Sequence, residues 1–379
     1  MLLKNCNIIL LDKIEKGSIL IENDIIKEIN PSEIPETKVV DCKGLFVSPG
    51  FIDVHIHGAG GHDTMDGTFE AINEISKTIC KYGTTSFTPT TMTMSTDDIL
   101  KSMLSIKKAK LEGTDGAIVL GAHLEGPFIS PSAIGAQNPN YLIPPSYENF
   151  KSMTGDAIDS VISITMAPEV AGAKELASIL SSKGIRCSIG HTKATYEEAI
   201  DGIKCGFCHS THIFNAMTGF SHREPGVVGA TFDSDITTET ISDGIHISYP
   251  SLRIAYKQKG TDKTLLVTDA MCACGMPDGT YALGGQPVIV KNGAARLENG
   301  ALAGSILTLN KAIKNIYDNT DYPLYEIVKM ASHNCAKYCR IDDRKGQIKE
   351  NFDADLTIFD ENIDVKMTII GGKIVYNNL

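Results

Sequence analysis

The sequence of 379 residues predicts an α/β fold: a (β/α)8 barrel of the TIM type with a small β domain built from both chain ends. Three observations carry this. Eight apolar, β-branched runs recur through the middle of the chain, most of them followed by a helical stretch. Both ends instead carry short apolar runs separated by turn residues. The length suits one large barrel with an attached module better than a single ordinary domain.

Residues 1–50 alternate NIILLD, GSILIEN, IIKEI and LFVSPG with Gly, Pro and Asn, the pattern of small antiparallel strands. Residues 346–379 repeat it, from ADLTIFD to MTIIGGKIVYN, so the two ends are expected to pair as one β unit. Between them, residues 51–345 hold the candidate barrel strands FIDVHI, TSFTPTT, AIVLGAHL, VISITMAP, GIRCSIGH, CHSTHIF, TETISDGI and TLLVTDA. Helical stretches such as TFEAINEISKTICKYG and GAKELASILSSKG separate them, which calls for a parallel sheet covered by helices. After the eighth run, TYALGGQPVIVKNGAARLENGALAGS breaks the alternation. Its Asn-Gly turns at Asn292 and Asn299 predict an inserted hairpin or ribbon.

A net charge of −11 argues against nonspecific binding to nucleic acid or an anionic membrane, since both would be repelled at long range. The N-terminus lacks the apolar core and small-residue cleavage site of a leader, and no run of about 18 apolar residues occurs. The expectation is a cytoplasmic protein whose ten irregularly spaced cysteines are reduced. CGFCH, Cys205 to His209, matches a haem-attachment spacing. Without export or two further zinc ligands nearby, it reads as coincidence before an apolar strand. GAGG at residues 58–61 lacks the Lys-Ser/Thr ending of a phosphate loop and reads as a tight turn.

Chemistry in such a barrel sits at the C-terminal ends of the strands. The first run ends with His55 and His57, whose spacing of two puts both rings on one face. The third ends with Glu125, the fifth with His191, the sixth with His212 and the eighth with Asp269. One such histidine alone is ordinarily a hydrogen-bonded or surface residue. Repeated placement at strand ends is not expected of independent structural histidines, and buried carboxylates need a compensating charge. A divalent metal pair supplies it, with zinc or another late first-row ion favoured by imidazole and carboxylate ligands. His62, His222 and His333 show no comparable pairing.

PGFIDVHIHG, HLEGPF, MAPE, THIFNAMTG, HREPGVVGA, SDGIHIS, VTDAM and LAGS occur in an order that resembles the amidohydrolase superfamily and, within it, the N-acetylglucosamine-6-phosphate deacetylase family. PGFIDVHIHG alone points only to the superfamily; HLEGPF with THIFNAM and REPG is more specific. The resemblance spans nearly the whole chain and implies a β-sandwich from the two ends. It implies that Glu125, His191 and His212 hold one metal, and that His55 and His57 hold a second bridged by Glu125. One or two ions per subunit are implied, with zinc first and iron, manganese or cobalt as alternatives.

The implied reaction is hydrolysis of N-acetyl-D-glucosamine 6-phosphate to D-glucosamine 6-phosphate and acetate, in amino-sugar metabolism. Asp269 would take a proton from the attacking water and deliver it to the leaving nitrogen. Arg223 would bind the phosphate from the neighbouring subunit of a homodimer. Ala136, Gln137, Asn215, Ala216, His246, Leu302, Ala303 and Gly304 are the implied substrate contacts. Gln137 stands where some family members carry a histidine that polarises the substrate carbonyl, and an amide could donate the same hydrogen bond without titrating. The galactosamine epimer, another amidohydrolase activity, or a silent barrel with structural zinc are the alternatives. The free acid/base Asp269 speaks against the last.

Overall fold

The computed structural model describes residues 1–379, and all eight expected runs form parallel barrel strands. In chain order they are Phe51–Ile56, Thr84–Thr91, a divided third strand, Val161–Met166, Arg186–Ile189, Phe207–Ser210, Thr237–Ile241 and Thr264–Val267. The third run, expected as one piece, is split into Ile118–Val119 and Ala122–Glu125. The break falls at Gly121, where φ is +155° and a Cβ would lie 2.4 Å from the carbonyl oxygen of Ser160. Only glycine lets the strand pass that close, and the step re-aims the segment that ends in Glu125.

The seam between the first and eighth strands is made by site residues themselves. Asp269 N donates to His55 O at 2.9 Å and His57 N donates to Ala270 O at 2.8 Å. Beneath them the buried Asp53 accepts from Thr268 Oγ1 at 2.6 Å, so a side chain of the first strand ties down the eighth. Burial pushes the Asp53 carboxyl up to about 7.

Helices cover the sheet as the periodicity requires. Phe69–Ile79 buries Ala71, Ile72, Ile75, Ser76 and Ile79, a stripe at three- and four-residue spacing, and Thr68 caps it by accepting from Ala71 N. Ala173–Ser182 likewise buries Leu176, Ala177 and Leu180 against the barrel. One continuous core of 69 buried residues runs through strands and helices.

The two chain ends meet in one eight-stranded hydrogen-bonded sheet. Phe46–Pro49 joins Leu356–Phe359 antiparallel on one side and Leu2–Ile9 parallel on the other. This sheet encloses its own core of 14 residues, including Leu3, Ile8, Ile19, Ile26, Leu356 and Ile369. The ribbon after the eighth strand has three strands, Gly279–Leu283, Gln286–Lys291 and Ala294–Leu297. Asn292-Gly293 turns the second into the third with both residues at positive φ, 54° and 82°. No helix is long and apolar enough to cross a membrane.

Candidate functional site

At the C-terminal rim the strand ends converge on Glu125. Its Oε1 lies 3.0 Å from His212 Nε2, 3.2 Å from His191 Nε2 and 3.5 Å from His55 Nε2. Its Oε2 lies 3.2 Å from His57 Nε2. Asp269 closes the group, with Oδ1 3.2 Å from His57 Nε2 and 3.5 Å from His55 Nε2. All six side chains are buried. Two sets of three, His55–His57–Glu125 and Glu125–His191–His212, have ligand atoms within 4.8 Å of one another.

The ring orientations follow from what the other nitrogens do. His57 Nδ1 faces Thr90 O at 3.2 Å and His191 Nδ1 faces Ala133 O at 3.1 Å. A carbonyl can only accept, so each Nδ1 carries a hydrogen, and in the neutral ring each Nε2 then turns a lone pair to the centre. His212 Nε2 and His191 Nε2 stand 3.2 Å apart, and His55 Nε2 is buried with no hydrogen-bond partner. Lone pairs facing one another and a carboxylate repel unless a cation lies between them. The residues therefore fit a divalent metal by donor type and by direction.

In the protein alone, protons take that part. Burial opposes charge on His55, yet the carboxylates of Glu239, Glu125 and Asp269 outweigh it and lift the ring to about 9. Burial would raise Glu125, but His55 and His191 hold it well below the usual carboxylate range. Asp269 is lowered in the same way, with burial again outweighed, chiefly by His55 and His57. The centre favours positive charge beside ionised carboxylates.

His191, His212 and Asp269 hold left-handed backbone, with φ of 47°, 28° and 49°. Such conformations cost about 1–3 kcal/mol each for non-glycine residues and persist only when neighbours over-determine them. Here His212 N donates to Glu239 Oε2 at 3.1 Å, and Asp269 O accepts from Ser305 N at 2.7 Å. Beside His57 the GAGG segment forms the expected tight turn, pairing Gly58–Ala59 with His62–Asp63 through Gly60 and Gly61 at positive φ. A Cβ on Gly58 would lie 2.3 Å from His62 O, so the turn packs backbone on backbone beside the centre.

Above the centre opens a cavity of about 380 Å³ lined by His57, Glu125, His191, His212, Asp269, Ala136, Gln137, Asn215, Ala216, His246, Leu302 and Gly304, among others. His246 Nδ1 is held by Asp243 Oδ2 at 2.7 Å, which leaves Nε2 for the cavity. The ribbon forms one wall and is latched by Gln286 Nε2 donating to Ala136 O at 2.6 Å.

Two expectations change, those for Ala303 and Gln137. Ala303 is fully buried in the ribbon's own core, where its N–H donates to Ala295 O, and it does not line the cavity. Arg223 is exposed and lines a separate cleft with Lys193, Thr195 and Glu224, outside the cavity of its own chain. Gln137 is not a free donor to substrate: its amide nitrogen donates to Glu125 Oε2 at 2.6 Å and contacts Met92 Sδ at 3.7 Å, while Thr93 N donates to its Oε1 at 2.7 Å.

Sequence reasoning also passed over Glu239, His209 and His123. Glu239 accepts from His55 Nδ1 at 2.9 Å and from His209 Nε2 at 3.1 Å, which accounts for the histidine of CGFCH. Cys205 and Cys208 are free thiols. His123 sits among hydroxyls, with Nε2 2.8 Å from Thr165 Oγ1. An acidic residue at the middle of the strand TTETI was the available signal for Glu239, since such a position faces a core.

Comparison with known proteins agrees with this geometry. The sequence pattern of the amidohydrolase family matches residues 46–375. The chain belongs to the amidohydrolase family. This amidohydrolase is 42% identical over 336 residues to the N-acetylglucosamine-6-phosphate deacetylase of Lysinibacillus sphaericus, covering 88% of this chain and 87% of that one. It is 31% identical over 363 residues to an N-acetylgalactosamine-6-phosphate deacetylase of Escherichia coli O157:H7, covering 93% of each. It superposes on the crystal structure of the N-acetylglucosamine-6-phosphate deacetylase from Pasteurella multocida with a TM-score of 0.94 and 32% identity, over 99% of both chains.

Proposed function

We propose that this amidohydrolase removes the acetyl group of N-acetyl-D-glucosamine 6-phosphate, yielding D-glucosamine 6-phosphate and acetate. The observation that carries the reading is the convergence of four imidazole nitrogens on Glu125 with Asp269 alongside, at the floor of a cavity of about 380 Å³. The 42% identity to the Lysinibacillus sphaericus deacetylase supports the glucosamine epimer over the galactosamine one, for which the E. coli relative is 31% identical.

Glu125, His191 and His212 would hold one divalent ion, and His55 and His57 a second shared through Glu125, with zinc the first choice for these ligands. Bound there, such an ion polarises the acetamide carbonyl and lowers the pKa of an attacking water. The chain's own residues do the rest. Asp269, ionised and held by the seam to His55, takes the water's proton and returns it to the departing nitrogen, without which an amine leaves poorly. Gln137 holds Glu125 Oε2 in place, while His246 and Asn215 present polar groups to the sugar from the cavity wall.

None of the residues lining the cavity is a lysine or arginine, so a phosphate there needs a cation from outside. Arg223 of a second subunit in a homodimer is the proposed source. One feature supports a subunit contact beside it. Phe220 and Ile254 are each 64% exposed, and with Phe214, Pro225 and Phe232 they line an apolar groove. Arg223→Ala should lower kcat/KM for the phosphosugar by roughly 10- to 100-fold, the scale of about 1.5–3 kcal/mol for hydrogen bonds to a charged group, mainly through KM. Unchanged steady-state constants would remove Arg223 from the site.

The function itself is tested by acetate release from both epimeric sugar phosphates and from unphosphorylated N-acetylglucosamine, before and after dialysis against a chelator. The expected order is glucosamine phosphate first and free sugar last, with activity lost on chelation and restored by zinc. Equal turnover of the free sugar would overturn the phosphosugar reading.

A further inference from the structure

Glu239 lies in the middle of the seventh barrel strand, its side chain inside the barrel and only 1% of the residue exposed. No lysine or arginine pairs with it. Three N–H donors hold it instead: His55 Nδ1 at 2.9 Å and the backbone of His212 at 3.1 Å on Oε2, and His209 Nε2 at 3.1 Å on Oε1. His209 is in turn anchored, with Nδ1 2.7 Å from Thr237 Oγ1 and its ring 4.5 Å from that of Tyr338. A column of hydrogen bonds thus runs inside the barrel from the start of the seventh strand to the centre.

The column distinguishes His55 from its neighbours. His57 and His191 lean on backbone carbonyls, whereas His55 leans on a carboxylate. An ionised acceptor makes a bond roughly twice as strong as a neutral one and raises the basicity of the opposite nitrogen. That opposite atom, His55 Nε2, is buried, unpartnered and 3.5 Å from both Glu125 Oε1 and Asp269 Oδ1. The bond to Glu239 is the one hydrogen bond that fixes the ring about its Cβ–Cγ bond, since the carboxylates facing Nε2 stand back at 3.5 Å.

We propose that Glu239, backed by His209, is a positioning residue that locks His55 with Nε2 toward Glu125 and so governs uptake of a divalent ion at His55 and His57. The inference rests on the two-ion reading of the site and deepens it: occupancy of the second position depends on a residue that touches neither ion nor substrate.

The test is stepwise zinc binding to the metal-stripped full-length chain, in competition with a chromophoric chelator, with His55→Asn as the reference that identifies the step belonging to His55. Glu239→Gln keeps an oxygen for His55 Nδ1 and the His212 amide but removes the charge, and should fold as the wild type does. It is expected to weaken the His55 step by about 10- to 100-fold while the other step moves little. Glu239→Asp, which keeps the charge but withdraws it by one methylene, is the second variant and should weaken the same step. If both variants bind zinc as the wild type does, Glu239 is merely structural and the proposal fails. If His55→Asn alters neither step of the wild-type titration, the two-ion reading falls instead, and this proposal with it.

Discussion

Glu125→Ala should yield a folded protein that binds neither ion and releases acetate at the background rate. The carboxylate is the only group facing all four centre-pointing imidazole nitrogens, three on Oε1 or near it and one on Oε2. Removing it leaves each candidate site with two histidines, too few for a closed or a catalytic zinc shell, which uses three or four protein ligands. It also strips Gln137 Nε2 of its 2.6 Å acceptor, so the loop carrying Gln137 loses one anchor. Elemental analysis of the purified variant together with an acetate assay checks both parts. Retention of two zinc ions would show that the histidines bind metal without a bridge and would remove Glu125 from its assigned place.

Asp269→Asn should separate metal binding from turnover. Asparagine keeps the shape and the seam, because the Asp269 N to His55 O and Ser305 N to Asp269 O bonds are backbone bonds. The amide cannot accept and return a proton, and general acid–base groups contribute typically about 100- to 10,000-fold. A fall of that size in kcat with zinc content near wild type is the expected result. Near-normal kcat would assign proton transfer elsewhere. Metal loss alongside activity would make Asp269 a ligand first.

The fold was largely legible because burial on both faces of parallel strands leaves continuous apolar runs, and eight of them survive in the sequence. The divided third strand was not legible. AIVLGAHL reads as one run, and only the approach of Ser160 O shows why the chain must break at Gly121. The centre was legible because polar ligands end otherwise apolar strands, and the structure brings His55, His57, Glu125, His191, His212 and Asp269 together. Glu239 and His209 were not, since Glu239 reaches His55 across the barrel from the seventh strand to the first, His209 acts only through Glu239, and no periodicity connects them. Gln137 was assigned a direction that Glu125 and Thr93 overrule, and Ala303, two residues from a cavity-lining Ala301, faces the opposite side into the ribbon core.

What the sequence by itself determined is which side chains stand at the C-terminal end of each strand, because alternation along a strand and the length of each apolar run are local properties. What only the tertiary structure decided is which of those side chains meet, which nitrogen of each ring faces inward, and which cations stay outside. Those depend on closure of the first strand against the eighth and on partners far away in the chain, such as Thr90 O for His57, Ala133 O for His191 and Glu239 for His55. Hydrogen-bond geometry fails beyond a few tenths of an ångström, a tolerance that residue order does not encode and that packing of the closed barrel supplies.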